Sequence, residues 1–261
     1  MRVREWVLLS FGMYVAGLSA HAGPVLCVFL AAFLQSITGF GLVMVAAPLL
    51  MFFYEPKLTI IIMFFLAACG NSTQLLLLWK QVHWQRIAEL GCGALAGIPL
   101  GLAVFRQLPG DGLKIVVSVV ILFTLSIMEL RHKRFEETRR NTILTGMLAG
   151  IMAMTTGMAG PPLVLYFAYT SMPQAVFRAT CIGYFFFSNL CSLAALWISG
   201  IYLGDAVREF VYLLPGLACG IALGNKVFRF MPQQLIRKII IILLYMTCFY
   251  NICKAVLNSF K

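Results

Sequence analysis

The sequence is dominated by apolar runs of the length that crosses a lipid bilayer. A helix needs ~20 apolar residues to span ~30 Å of hydrocarbon. Seven runs approach this length: Trp6–Ala20, Leu58–Trp79, Ala88–Phe105, Leu113–Leu130, Phe177–Ile198, Ala206–Val227 and Leu235–Cys253. Only 11% of the 261 residues are charged and 61% are hydrophobic, which leaves too few charges to cover a soluble domain. We expect one all-α polytopic membrane domain over residues 1–261, in contact with the lipid bilayer.

Two further apolar stretches, Pro24–Tyr54 and Thr142–Thr170, are interrupted by glycine and proline. We call the interruptions the first tip (Gln35–Gly41) and the second tip (Thr155–Pro162). The 15 residues from Pro24 to the threonine of the first tip make only ~22 Å of helix, short of a full crossing. Each stretch is therefore predicted to be a re-entrant hairpin of two half-helices, which gives about seven full spans and two hairpins.

The chain carries an internal duplication, with repeats at about 24–130 and 142–257. A shift of 118 residues places Thr38-Gly39 on Thr156-Gly157 and Asn71 on Asn189. A shift of 123 residues relates two series of glycines spaced four apart, namely Gly93, Gly97, Gly101 and Gly216, Gly220, Gly224. Such series are typical of faces on which membrane helices pack closely.

The basic residues indicate the orientation of the chain. The net charge is +11, and the most basic loop, 131–141, is assigned to the cytoplasm because inner loops of membrane proteins collect Lys and Arg. Alternating outward from it leaves fourteen basic residues inside and six outside. This requires the two hairpins to enter from opposite sides, so that the halves form an inverted-topology repeat, as in many secondary transporters. Because the orientation in the membrane accounts for the positive net charge, we expect no nucleic-acid binding.

Residues 1–22 allow two interpretations. Arg2, Arg4, the apolar run and Ala20-His21-Ala22 resemble a secretory signal that ends in a cleavage site. Glu5 and the many later spans favour a retained first span instead. Either version leaves Gly23 on the outside.

The tips hold the residues best suited to bind a small anion. Non-helical backbone at membrane depth is tolerated where it is buried in protein or lines a wet cavity. A half-helix that starts there directs free N–H groups and a partial positive charge into the site. Two converging tips would cradle an anion without a buried lysine; alternatively, glycine and proline simply kink packed spans. The candidate binding residues are Gln35, Ser36, Thr38, Gly39, Phe40, Gly41, Thr155, Thr156, Gly157, Gly160 and Pro161.

Three further polar residues are candidates for substrate binding. Asn71 and Asn189 occupy equivalent positions within two full spans, where they line the site or make hydrogen bonds between helices. Arg178 lies near the start of the span after the second hairpin, where it either guides anions or anchors the span end.

Other classes of function find little support in the sequence. The spans contain no nucleophile–base pair, no Cys/His cluster and no phosphate-binding loop, so we expect no enzyme activity, no cofactor and no metal. The acidic residues lie in loops or near span ends, which favours an anionic substrate over a cation.

The tips also carry a resemblance to a known family. Gln35–Gly41 followed by Pro48, and Gly157–Pro162 in the second half, resemble the paired glycine-rich motifs of the TauE/SafE family of sulfite and organosulfonate exporters. The likeness runs from Gly23 to about Phe260. It implies a permease of the bacterial-type cell inner membrane that exports a small sulfur-containing anion, such as sulfite or a sulfoacetate-like organosulfonate. A passive anion channel, a membrane assembly factor and homodimerisation stay open.

Overall fold

The computed structural model describes residues 21–38, 42–129, 138–160, 162–163, 166, 172–227, 245–246, 249–251 and 253. All regular secondary structure in these residues is helical. The helices are α1 (Ala22–Thr38), α2 (Leu42–Leu50), α3 (Pro56–Leu78), α4 (Trp84–Gln107), α5 (Gly110–Glu129), α6 (Arg139–Thr156), α7 (Gln174–Ile198) and α8 (Gly204–Val227), with a 3-10 turn at Trp79–Gln81. The predicted first span, most of the basic loop 131–141 and most of the predicted last span lie outside the described residues.

Within the described residues, four helical segments are long and apolar enough to cross a membrane: Pro56–Gln81, Trp84–Gln107, Ala175–Ile198 and Gly204–Gly224. They coincide, within a few residues, with four of the predicted full spans. α5 covers most of a fifth predicted span, Leu113–Leu130. The helices begin where local chemistry favours a start. Pro56 opens α3, where a missing N–H is harmless, and the Thr138 side chain caps α6 by accepting from the Asn141 N–H at 3.3 Å.

The second interrupted stretch is a broken helix, and the first is described on both sides of its glycines. α1 ends at Thr38 and α2 begins at Leu42, while α6 ends at Thr156 and helical residues resume at Gly160. The 17 residues of α1 make ~25 Å of helix, and α2 is about half that long. The break that the sequence predicts at the second tip is therefore present, whereas the break predicted at the first tip falls on Gly39, Phe40 and Gly41, which lie outside the described residues.

The two glycine series let helix backbones touch. On α4 the series lies against carbonyl oxygens of α6, and on α8 it lies against carbonyl oxygens of α1. The pairs are Gly93 with Ile143, Gly97 with Met147, Gly101 with Ile151, Gly216 with Val25, Gly220 with Phe29 and Gly224 with Phe33. A Cβ on Gly220 would stand 2.5 Å from the Phe29 carbonyl oxygen, so only glycine allows this approach. The prediction that these series are close-packing faces is confirmed.

The carbonyl partners follow the spacing found in the sequence. Val25 and Ile143 are 118 residues apart, as are Phe29 with Met147 and Phe33 with Ile151. This is the shift that aligns the two tips. The helix that carries a glycine series in one half therefore packs on the first helix of the interrupted stretch in the other half.

α3 and α7 lie antiparallel in the centre of the fold. The N–H of His83, just after α3, donates to Thr180 Oγ1 near the start of α7 at 3.1 Å. Farther back on α3, the Leu75 side chain lies 3.5 Å from where a Cβ on Gly183 would stand. Earlier positions on α3 thus contact later positions on α7, as expected for antiparallel helices. Ile60, Phe64 and Leu66 are fully buried, as expected for a helix surrounded by others.

Candidate functional site

The second tip begins where α6 ends in a left-handed residue. Gly157 has φ 76°, and its N–H donates to the Ala153 carbonyl at 2.7 Å. Only glycine adopts this conformation without steric penalty, so it ends the helix and turns the chain. Met158 and Ala159 follow in non-helical conformation and are buried, at 3% and 7% exposure. Irregular backbone is thus enclosed by protein at this position, as membrane depth requires.

The second tip lies against the chain that leaves the first tip. A Cβ on Gly157 would stand 3.2 Å from Val43 Cγ1, and 3.8 and 3.9 Å from atoms of Ile60 and Met63. Val43 is the second residue of α2, directly after the first tip. The structure therefore brings the second tip close to the beginning of the helix that follows the first tip.

The first tip is described on its two flanks. Gly39, Phe40 and Gly41 lie outside the described residues, and of Thr38 only the helical backbone is described. The side chain of Ser36 is buried, and its hydroxyl donates to the Ala32 carbonyl one turn earlier at 2.9 Å.

A buried hydrogen bond joins Gln35 to Asn71. Gln35 Nε2 on α1 donates to Asn71 Oδ1 on α3 at 3.2 Å, and the residues are 4% and 2% exposed. Because Gln35 lies one helical turn before Gly39, this bond fixes the last turn of α1 onto the central helix. Two residues that the sequence nominates from different elements are thus in contact.

The hydroxyls at the second tip donate to their own helix. Thr155 Oγ1 donates to the Ile151 carbonyl at 2.9 Å, and Thr156 Oγ1 donates to the Met152 carbonyl at 2.7 Å. Thr156 Oγ1 also accepts from the Met158 N–H at 3.3 Å. Both threonines are candidate binding residues, and in this arrangement their hydroxyl protons are engaged with backbone carbonyls.

The remaining candidates lie on or beside α7. Asn189 is buried at 6% exposure. The Cβ position of Gly160 is 3.8 Å from Phe185 Cζ, one turn before Asn189, so the segment after the second tip runs beside this part of α7. Pro161 lies outside the described residues. Arg178 is partly buried, and its Nε has no hydrogen-bond partner within the described chain; no described contact links it to Gln35 or Asn71.

Two buried carboxylates form the centres of polar clusters that were not predicted from the sequence. Glu209, the sixth residue of α8, is 5% exposed. It pairs with His21 Nε2 at 2.9 Å and accepts a hydrogen bond from Tyr54 Oη at 2.8 Å. Arg208 Nη2 lies 3.3 Å from its other oxygen. The position of Glu209 in the sequence could have indicated this cluster, because a carboxylate more than one turn inside an apolar span needs a partner.

The second cluster joins α4 to α6. Glu89, the sixth residue of α4, is 9% exposed and pairs with Arg86 Nη1 at 3.2 Å. The same nitrogen donates to Thr142 Oγ1 at 3.0 Å, and Thr142 is hydrogen bonded to Tyr166 Oη at 2.8 Å. Among the described residues, Glu89 and Glu209 are the only buried carboxylates, and each is paired at the end of a helix.

The environment of Tyr54 affects its ionisation. Burial, and then the hydrogen bond and the negative charge of Glu209, raise the pKa of the Tyr54 hydroxyl above its ordinary value. The phenol therefore stays protonated as the donor to Glu209 at physiological pH.

Comparison with known proteins identifies the family of the chain. Residues 25–250 match the family described as Sulfite exporter TauE/SafE. The chain belongs to the TauE/SafE family. No curated protein and no solved structure matches the chain. As a TauE/SafE member with several long apolar helices, the protein is a multi-pass membrane protein of a transport family, and the resemblance drawn from the two tips is confirmed at the level of the family.

Proposed function

We propose that this protein is a secondary transporter that exports a small sulfur-containing oxyanion, such as sulfite or an organosulfonate, across the cell inner membrane. The observation that carries the proposal is the approach of Gly157 to Val43, with a Cβ position 3.2 Å from the valine side chain. It places the end of α6 beside the first described turn of α2. The sequence predicts a helix start there, whose first-turn N–H groups would have no partner within their own helix and could bind negative charge.

The electrostatics near the tips favour an anion. A helix that starts at the first tip, as the sequence predicts, would place the positive end of its dipole beside Val43. The buried carboxylates of the described chain, Glu89 and Glu209, are held by cationic partners near span ends. A negative ligand between the tips would thus meet helix dipoles and amide groups at a distance from those carboxylates.

The reciprocal helix pairs support an inverted repeat as the basis of transport. α4 packs on α6 and α8 packs on α1 through glycines that correspond under the internal duplication. Two equivalent units of this kind can rock against each other about a central site, which is the usual basis of alternating access in such transporters. α3 and α7, with Asn71 and Asn189 buried along them, would then form the centre about which the units move.

The test is flux through the purified protein. Proteoliposomes loaded with labelled sulfite or sulfoacetate are expected to show saturable efflux and counterflow. Gly157→Leu is expected to abolish efflux, whereas Gly200→Leu, at a second left-handed glycine with no atom within 4 Å of its Cβ position, retains it. Current that grows with voltage and does not saturate would indicate a channel. Absence of flux for every small oxyanion would refute the proposal.

A further inference from the structure

Two buried side-chain carbonyls close to the first tip have no hydrogen-bond donor. Gln35 Oε1 and Gln74 Oε1 find no partner within the described chain, although the residues are only 4% and 5% exposed. A buried carbonyl left without a donor is unfavourable, and native proteins rarely leave such groups unsatisfied. Two such carbonyls on neighbouring helices suggest that another group supplies the hydrogen.

The two glutamines converge on Gly70 of α3. Gln74 Nε2 lies 3.5 Å from the Gly70 carbonyl oxygen, a long bond within its own helix. Gln35 Oε1 lies 4.0 Å from where a Cβ on Gly70 would stand. Both amides thus lie beside Gly70, next to Asn71, and the Cβ position of Gly70 also lies 3.5 and 3.7 Å from side-chain atoms of Leu217 and Ile221.

Donor protons are scarce among the side chains that flank the tips. Three hydroxyl groups donate to backbone carbonyls of their own helices, namely those of Ser36, Thr155 and Thr156. The Gln35 amide gives one to Asn71. A fully deprotonated oxyanion has lone pairs only, so it can use the backbone N–H groups of a helix start but cannot satisfy the glutamine carbonyls.

We propose that the transported anion carries a hydrogen-bond donor of its own, so that Gln35 and Gln74 accept its proton while backbone amides hold its negative oxygens. For sulfite this means the singly charged hydrogen sulfite rather than the dianion. Desolvation acts in the same direction, because it penalises a dianion more than a monoanion. The inference rests on the proposed oxyanion function and adds the protonation state of the substrate.

The experiment compares ligands that differ in one donor at one fixed pH. Displacement of labelled sulfite from detergent-purified protein is measured in mildly acidic buffer, where hydrogen sulfite predominates. Unlabelled hydrogen sulfite is compared with methanesulfinate, in which a methyl group replaces the hydroxyl. Isethionate is compared with propanesulfonate in the same way, in case the site takes larger sulfonates.

The donor-bearing member of a pair is expected to compete at least about tenfold better, because its analogue leaves buried carbonyls unpaired. Gln74→Met is expected to reduce this ratio several-fold. That variant loses only a long bond within α3, so it should keep its elution profile. Gln81→Met, the same change at an exposed glutamine, is the matched control and is expected to keep the ratio.

Equal competition within both pairs, or a ratio that Gln74→Met leaves intact, would overturn the inference while the oxyanion function stands. Failure of the protein to bind labelled sulfite or any of the four competitors would overturn both. A reduced ratio in Gln74→Met but not in Gln81→Met supports the assignment of the donor to this pair of carbonyls.

Discussion

Gly97 of α4 packs directly onto the backbone carbonyl of Met147 of α6, and Gly220 of α8 does the same with Phe29 of α1. The partners are related by the internal duplication, so each contact has a counterpart in the other half. Since the atom facing each glycine belongs to backbone, it cannot move aside without separating the helices. These contacts therefore fix the distance between each pair.

Alanine at either position is expected to destabilise the protein. Gly97→Ala or Gly220→Ala gains up to about 1 kcal/mol of helix propensity, but overpacking against backbone costs about 1–3 kcal/mol. The clash is expected to prevail, and both variants should melt at lower temperature in detergent. Gly110→Ala is the control, because its Cβ would make an ordinary contact of 3.6 Å with Pro56. A Gly220→Ala protein as stable as Gly110→Ala would contradict the close approach.

Substitution of Gly157 separates backbone strain from the role of the second tip. Gly157 and Gly200 both have left-handed backbone, with φ 76° and 74°. Alanine at either should cost about 1–2 kcal/mol for that conformation. Only Gly157→Ala also presses on Val43, so it alone is expected to lose transport. Melting curves and proteoliposome flux measured on the same preparations test this. Equal loss of flux in both variants would assign the effect to stability.

The hydrogen bond between Gln35 and Asn71 should appear as an interaction energy. A double-mutant cycle with Gln35→Ala and Asn71→Ala is expected to give about 0.5–1.5 kcal/mol, the range for buried bonds between membrane helices. The cycle is read from unfolding in detergent. Gln35→Ala combined with Asn189→Ala, which no described bond connects, is expected to be additive. Additivity in the first cycle would show that the bond does not contribute.

Stability should depend on the ionisation of Tyr54. Its pKa in the fold is raised, while in the unfolded chain it is about 10, so its contribution is full below about pH 10 and is lost as the pH rises towards the folded value. Tyr54→Phe should cost about 1–2 kcal/mol at neutral pH through the lost bond to Glu209. It should also flatten the alkaline fall in melting temperature. Tyr202→Phe, at a tyrosine 77% exposed, should change neither.

Features that depend on local chemistry could be predicted from the sequence. The helix break at the second tip follows from Gly157, and the close-packing faces follow from glycines spaced by one turn. The glycine series of α4 does not identify the helix that packs against it. The sequence leaves that partner open, and the structure shows that it is α6. The substrate residues themselves stay a prediction, supported by the contact of Gln35 with Asn71.

The paired carboxylates were harder to predict for a different reason. Under the 123-residue shift, Glu209 corresponds to Arg86. The two halves therefore carry opposite charges at this position, and comparing them does not predict a buried carboxylate in either. The partners of Glu209 are also distant in sequence: Tyr54 precedes it by 155 residues. Only the folded chain shows that a loop tyrosine and a helix-start histidine meet there.

The exchange of helices between halves has a consequence for biosynthesis. α1 is made well before the helix that packs on its backbone, because α8 begins 182 residues later in the chain. Until α8 is made, α1 must lie beside lipid, the insertion machinery or a chaperone with its packing face uncovered. A nascent chain that stops before α8 would therefore leave α1 without its packing partner and expose it to quality-control proteolysis.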